Sequence, residues 1–513
     1  MKDSRIGTAA AGVLLLALTA ACSAGSGASG GGNGGNGGTG GAGGSGDTKL
    51  TVGLVAEPAS LDFTTKDGAA ISQALLDNVY ETLVKVDQNG DLKPELASSW
   101  KVSPDRKTYT FDLVPNATFS DGQKFTAKDA VFSINRVKTD WTISLKSAMD
   151  VVADAKALSD TQLQVTLSKP SNNWLYRMST RVGAMMTEKG VADLANKPVG
   201  TGPYTFGTWR RGDSITLSAN PSYWGAKPYF KDVTLKYFKD PTALNNALLT
   251  GTIDVVGTVQ APESLAQFEN NPKYEIVEGT TNGEVVLSFN NGKAPFDDLK
   301  VRQAARYAID HKALMDTCWA GRGTLIGSMV PPTDPWYEDL TGLYPHDLAK
   351  AKALVAETGV GKTPIRLRIP TLPYAVSCGQ VVKSQLEQAG FQVTLDQLEF
   401  PAVWLGTVFT DADYDMSIVA HVEPRDLPAV FGDPKYYTRY DNKQLQSDLA
   451  AADTGTPDQQ VTLMKKAARE LSQDAAADFL FLLPNLMVAE KGITGLPKNA
   501  ITEAFVLRDL ARS

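Results

Sequence analysis

The chain has 513 residues, 42% of them hydrophobic and 21% charged, with a formal net charge of −7. These values are ordinary for a globular protein, and the length is enough for two or three domain-sized units. No long Lys/Arg run is present, which argues against nucleic acid as a partner, and no apolar stretch after the N-terminus is long enough for a bilayer span.

The first segment is basic, Met1-Lys2-Asp3-Ser4-Arg5, and an apolar run follows from Ile6 to Ala17. Leu18-Thr19-Ala20-Ala21 then brings small residues up to Cys22. That order predicts a secretory signal peptide over residues 1–21. A Cys at this place resembles a bacterial lipobox, with Thr19 where Leu is commonest. The resemblance implies cleavage before Cys22 and a lipid anchor on it, at the outer face of the cell membrane. Residues 22–46 carry no charge and no large apolar side chain beyond the Cys. They predict a disordered tether with a reach of roughly 25–30 Å.

Leu50 to Val55 reads as a strand, and apolar residues at Ile71, Leu75, Val79, Leu83 and Val86 predict a helix over 71–86. Asn89-Gly90 reads as a hairpin turn. Thr108 to Leu113 alternates as a strand. Thr126-Ala127-Lys128-Asp129 fits a capping box ahead of a helix from Ala130 to Val137. Val301 to Leu314 predicts one helix, and His346 to Thr358 another, stopped by Gly359. Ile365–Ile369, Gln380–Ala389 and Phe391–Leu398 read as strand, helix and strand, a βαβ unit that requires a parallel sheet. Asp415–Ala420 is a further strand, Gln459–Leu471 a helix, and Phe479–Ala489 mostly strand. The class is α/β.

Several motifs fail on context. Gly25 to Gly31 matches two glycine-rich signatures but lies in the tether, with no strand before it or helix after it. Gly359-Val360-Gly361-Lys362-Thr363 follows a helix rather than a strand and reads as a C-cap. Asp87 to Asp91 lacks the Gly and the Glu that a calcium loop needs. The three histidines, His311, His346 and His421, have no metal-ligand spacing and give a Ser/His/Asp triad little to draw on. No metal or other cofactor is expected. In an exported chain Cys318 and Cys378 are a disulfide candidate.

Three segments carry a family resemblance. The first runs from Leu92-Lys93-Pro94-Glu95-Leu96-Ala97-Ser98-Ser99-Trp100 through Phe119-Ser120-Asp121-Gly122 to Asp129-Ala130-Val131. The second is Pro198-Val199-Gly200-Thr201-Gly202-Pro203-Tyr204 with Asn220-Pro221-Ser222-Tyr223-Trp224-Gly225. The third is Phe289-Asn290, Pro295-Phe296-Asp297-Asp298 and Val301-Arg302-Gln303-Ala304 through Asp310. In order and spacing they resemble the peptide and nickel class of solute-binding proteins of ABC importers, family 5. The resemblance implies a two-lobed periplasmic-binding-protein-like α/β fold with a hinge and an extra small domain. Lobe I is expected at 47–80, 196–287 and 485–513, the inserted domain at 81–195, and lobe II at 288–484. Trp100 and Trp224 read as packing residues.

Peptide binders of that family hold the ligand amine with an acid soon after a Tyr-Asp-Met-like strand, here Tyr414-Asp415-Met416. His421 stands near the family's Trp, and Glu423-Pro424-Arg425-Asp426 stands where the acid is expected. Glu423 or Asp426 is the candidate acid, and Arg425 is a candidate partner for it or for a ligand carboxylate. Phe400 and Trp404 are candidate stacking residues, and Glu57 joins the candidate contacts. The expected role is an extracytoplasmic lipoprotein that captures short peptides and delivers them to ABC permease subunits, as a monomer without chemistry of its own. The alternatives are the same role for a haem, sugar, opine or metal chelate, or a tethered exported hydrolase.

Overall fold

The computed structural model describes residues 48–66 and 68–513; the expected signal peptide, Cys22 and the expected tether lie outside them. The core of the architecture is one ten-stranded sheet. Its order is Gln392–Leu398, Pro364–Pro370, Met416–His421, Tyr274–Phe289, Ala477–Glu490, Val255–Val256, Lys49–Leu54, Asp232–Tyr237, Ser214–Ala219 and Tyr204–Arg210. Parallel pairs lie toward both ends: Pro364–Pro370 with Gln392–Leu398, joined by the helix Pro373–Ala389, and Lys49–Leu54 with Asp232–Tyr237.

Two long antiparallel strands, Tyr274–Phe289 and Ala477–Glu490, run through both halves of this sheet. Their ladder slips between Thr280 and Glu284. Pro484, opposite Thr280, cannot donate to the ladder, and Gly283 N–H turns to Thr281 Oγ1 at 2.9 Å instead. The buried side chains separate at the same place. Leu486 and Val488 join a cluster with Leu244, Leu248 and Phe268. Val285 and Phe481 join one with Ile365, Leu367 and Ile418. The fold is two-lobed α/β, with two crossing strands between the lobes.

A four-stranded antiparallel sheet, in the order Ala97–Val102, Thr108–Leu113, Gln162–Leu167 and Val152–Ser159, stands apart from the large one. Its inward residues Tyr109, Phe111, Leu163 and Val165 share one cluster with Leu50, Val52 and Leu235. The helix Ala127–Asp140 packs on this sheet, with the capping box formed: Asp129 Oδ2 accepts from Thr126 N–H at 2.9 Å and from Thr126 Oγ1 at 2.8 Å.

Two helix expectations are corrected. The segment 71–86 is helical only over Ala69–Leu75. Leu76 is extended and Asp77 takes a φ of 58°. The chain beyond spends its carbonyls on neighbouring loops, with Asn78 O accepting Tyr204 N–H and Val79 O accepting Gly202 N–H, each at 2.9 Å. At Gly200 a Cβ would come within 1.9 Å of Val79 O, so only glycine permits this approach. Its apolar residues stay buried without being helical. The segment 301–314 is two helices, Leu299–Ala308 and His311–Cys318. The break comes where Asp310 caps the second helix, its carboxylate accepting Ala313 N–H at 2.9 Å. Val84–Val86 and Leu92–Pro94 pair across the Asn89-Gly90 turn, and Gly359 is a left-handed C-cap.

Candidate functional site

The strand Met416–His421 lies against the end of a crossing strand, with His421 opposite Glu284. After His421 the chain leaves the sheet. Arg425 takes a φ of 55°, a conformation uncommon outside glycine, and this turn sends the side chains of 423–426 in different directions. Glu423 pairs with Arg181 at 3.0 Å. Arg181 is 2% exposed and also meets Glu503 at 3.1 Å and Ser72 Oγ at 3.2 Å. The Arg425 guanidinium lies 3.8 Å from the centre of the Tyr176 ring and 4.9 Å from that of Trp336, and pairs with Asp334 at 3.5 Å. Arg181 and Tyr176 follow the four-stranded sheet in the chain, whereas 423–426 continue from the far half of the large one. The segment therefore lies in a seam between these two parts of the molecule.

Asp426 precedes the helix Leu427–Phe431 but its side chain does not cap it. It is buried, and among the described residues its Oδ1 has no hydrogen-bond partner. Glu284 Oε2 is in the same condition. Burial, then the nearby Asp426, pushes the Glu284 carboxyl well above the usual range. Burial, then Glu423, does the same to Asp426. Burial raises Asp334 to about 6 despite Arg425. A buried carboxyl group without a partner is costly when ionised, so these positions favour protons or a cation.

His421 sits among them. Its Nε2 is 2.9 Å from Tyr437 Oη, which in turn is 2.7 Å from Ser288 Oγ. Its Nδ1 is 3.7 Å from Asp426 Oδ2. Burial lowers it to about 4, so the ring is neutral at pH 7. A small cavity of about 10 Å³ lies beside the segment, between Tyr176, Thr180, Pro424 and Glu503. That is about the room one water needs.

The other candidates stand elsewhere. Trp404 is core: it is 3% exposed, donates to Ser417 Oγ at 3.2 Å and packs with Val408, Tyr414 and Tyr437. Phe400 is 36% exposed at the edge of this aromatic group. Glu57 accepts from Trp209 Nε1 at 2.8 Å and Gly212 N–H at 2.9 Å, which ties it to the strand pair 204–219. Glu284, Asp334, Arg181 and Tyr176 were not singled out from the sequence. An acid at the head of an apolar run, Glu284-Val285-Val286-Leu287, is the one signal that pointed to any of them. Cys318 and Cys378 are joined, with Cα atoms 4.9 Å apart. Among the described residues no group of three or more His, Cys, Asp or Glu side chains is arranged to hold a metal ion.

Residues 91–443 match the family described as bacterial extracellular solute-binding proteins, family 5 Middle. The nickel-binding periplasmic protein of Escherichia coli (strain K12) is 32% identical over 348 residues, 62% of this chain and 65% of that protein. Heme-binding protein A of Haemophilus influenzae is 30% identical over 309 residues, 55% of this chain and 56% of that protein. The chain thus spans less than two thirds of the length of these two relatives. The periplasmic binding protein DppA of Helicobacter pylori, in complex with the peptide STSA, superposes with a TM-score of 0.80 at 22% identity, covering 90% of this chain and 98% of that one.

Proposed function

Since the chain belongs to family 5 of the bacterial extracellular solute-binding proteins, we propose that it captures a short peptide between its lobes and passes it to the permease of an ABC importer. In this reading lobe I is 47–80, 196–287 and 485–513, the insert 81–195 and lobe II 288–484. The protein works as a monomer outside the cytoplasm, held to the membrane by lipid on Cys22. One observation carries the ligand class. Glu284 and Asp426 each bury a carboxyl oxygen without a partner in the seam, and a peptide's α-ammonium group supplies the donors and charge they lack. Glu423 and Arg425, by contrast, already have partners across the seam.

Native and intact mass spectrometry of the exported protein reads two parts of this at once: a mature chain starting at an acylated Cys22, and any solute carried along. Calorimetry with tri-alanine and N-acetyl-tri-alanine reads the third. The free-amine peptide binds and the acetylated one does not. Glu284→Gln and Asp426→Asn each cost about 2–5 kcal/mol, a loss of roughly 30-fold to several thousand-fold. Equal binding of the two peptides, or wild-type affinity in both variants, sinks the amine assignment. A cationic non-peptide solute is the second reading, because the same carboxyl pair accepts any buried cation; a co-purified solute without a peptide bond would favour it.

A further inference from the structure

Away from the carboxyl groups, the two halves of the molecule meet a second time. The four-stranded sheet and the helix Asn172–Arg177 belong to the apolar cluster of Leu50, Val52 and Leu235, to which Trp174 also contributes. The helices Lys443–Thr454 and Pro457–Gln473 belong to another, built on Val286, Phe431 and Phe479. The two clusters share no residue. What crosses between these helices and the small sheet is a set of hydrogen bonds.

Arg106, at the turn between Ala97–Val102 and Thr108–Leu113, takes a φ of 57°. Its guanidinium donates to Thr454 O and Gly455 O, the last carbonyls of the helix Lys443–Thr454. A cation is favoured there by the helix dipole. Asn172 Nδ2 donates to Ala452 O at 2.9 Å and to Gly455 O at 2.8 Å. Asp453 Oδ1 accepts from Ser171 Oγ at 2.8 Å and Asn173 N–H at 3.0 Å. Gln460 Nε2 reaches Asn173 Oδ1 at 3.3 Å. Seven hydrogen bonds thus join the two sides, three of them from residues 171–173 to the single stretch Ala452–Asp453.

The geometry points to a latch. A joint made of hydrogen bonds between half-buried groups exchanges readily with water, because each bond given up is replaced by one to solvent, whereas a shared apolar core does not come apart on hinge motion. These bonds form only when the lobes are together. They set the fraction of molecules that are closed, and so the apparent affinity, without touching the solute. Apparent affinity scales with the populated fraction of the competent state. Loss of the latch therefore weakens every solute by one common factor, within the roughly 5- to 150-fold span of typical coupling. The inference rests on closure between two lobes and not on which solute is bound.

The test begins without ligand. Dyes on Lys101→Cys and Lys465→Cys, both exposed and on opposite sides of the joint, report the open and closed populations of the complete chain by single-molecule energy transfer. Arg106→Ala and Asp453→Ala, which remove opposite sides of the latch, each shift the ligand-free distribution toward the open state. With tri-alanine as probe, both raise Kd by the same factor, chiefly through faster dissociation. Distributions identical to the parent's in both variants overturn the latch, whatever tri-alanine does. A shift in populations with no binding of tri-alanine leaves the latch standing and instead removes the peptide reading.

Discussion

At the scale of single residues, the most telling acids outside the seam are Asp77, Glu81 and Glu95, gathered around Arg508. Arg508 lies 3.1 Å from Glu95 and 3.7 Å from Glu81. Glu81 accepts from Tyr223 Oη, Trp224 Nε1 and Thr201 Oγ1, each at 2.8 Å. Three carboxyl groups face one close guanidinium, so not all of them ionise. Burial, then the charge of Glu95, raises Asp77 to about 8 and Glu81 to about 7. Both folded values lie above the unfolded range near 4. Their contribution is therefore fully present below about pH 4 and is lost as pH rises through 7 and 8. Denaturant midpoints should fall from pH 5 to pH 8, with a slope of up to about 1.4 kcal/mol per pH unit for each proton involved. Asp77→Asn should flatten that slope, and Asn tolerates the left-handed backbone there. A parent and a variant with the same pH dependence would remove Asp77 from the account. Trp224 was legible as a packing residue from its motif, but its bond to Glu81 was not, because the two lie 143 positions apart.

At the scale of elements, what could be read from the sequence followed local chemistry. The capping box at Thr126, the Gly359 C-cap and the βαβ unit of 364–398 are short-range signals, and each is present. The helix drawn through Leu76 failed because apolar spacing reports burial, and a buried irregular chain can keep that spacing when loops satisfy its backbone. The helix drawn through Ile309 is broken instead by the cap at Asp310. The 421–426 segment was singled out by its place after Tyr414-Asp415-Met416, whereas Arg181, 242 residues away, was not. The Cys318–Cys378 bond is a second long-range tie, joining the helices His311–Cys318 and Pro373–Ala389 across 60 residues. Closing a loop of that length contributes about 4 kcal/mol on chain-entropy grounds. The pair Cys318→Ala and Cys378→Ala should lower the unfolding free energy by up to that amount while leaving tri-alanine affinity intact. Two free thiols in the unreduced, denatured parent would show that the bond is absent.

At the scale of the whole molecule, closure balances two opposed terms. The latch favours the closed state whether or not solute is present. The carboxyl groups of the seam oppose it, because closing over an empty site at neutral pH either buries charge or requires protons. Glu284 and Asp426 lie among Asp334, Glu423, Arg425, Arg177 and the neutral His421, five further acids and bases, yet among the described residues neither orphaned oxygen has a hydrogen-bond partner. In the proposed reading a peptide ammonium removes the opposition, and this makes closure report occupancy. The sign of the pH effect follows. The carboxyl groups have higher pKa values closed than open, so protons favour closure. That advantage is full near pH 4, and it is lost as pH rises, through about 6 for Asp334 and above the usual carboxylate range for Glu284 and Asp426. Small-angle X-ray scattering of the ligand-free protein should give a smaller radius of gyration at pH 5 than at pH 7.5, with tri-alanine abolishing the difference at pH 7.5. In the double variant Glu284→Gln, Asp426→Asn the ligand-free radius should already be small at pH 7.5. A radius independent of pH in the parent would mean that these groups keep their protonation through closure, and the cation would then have to be recognised without them.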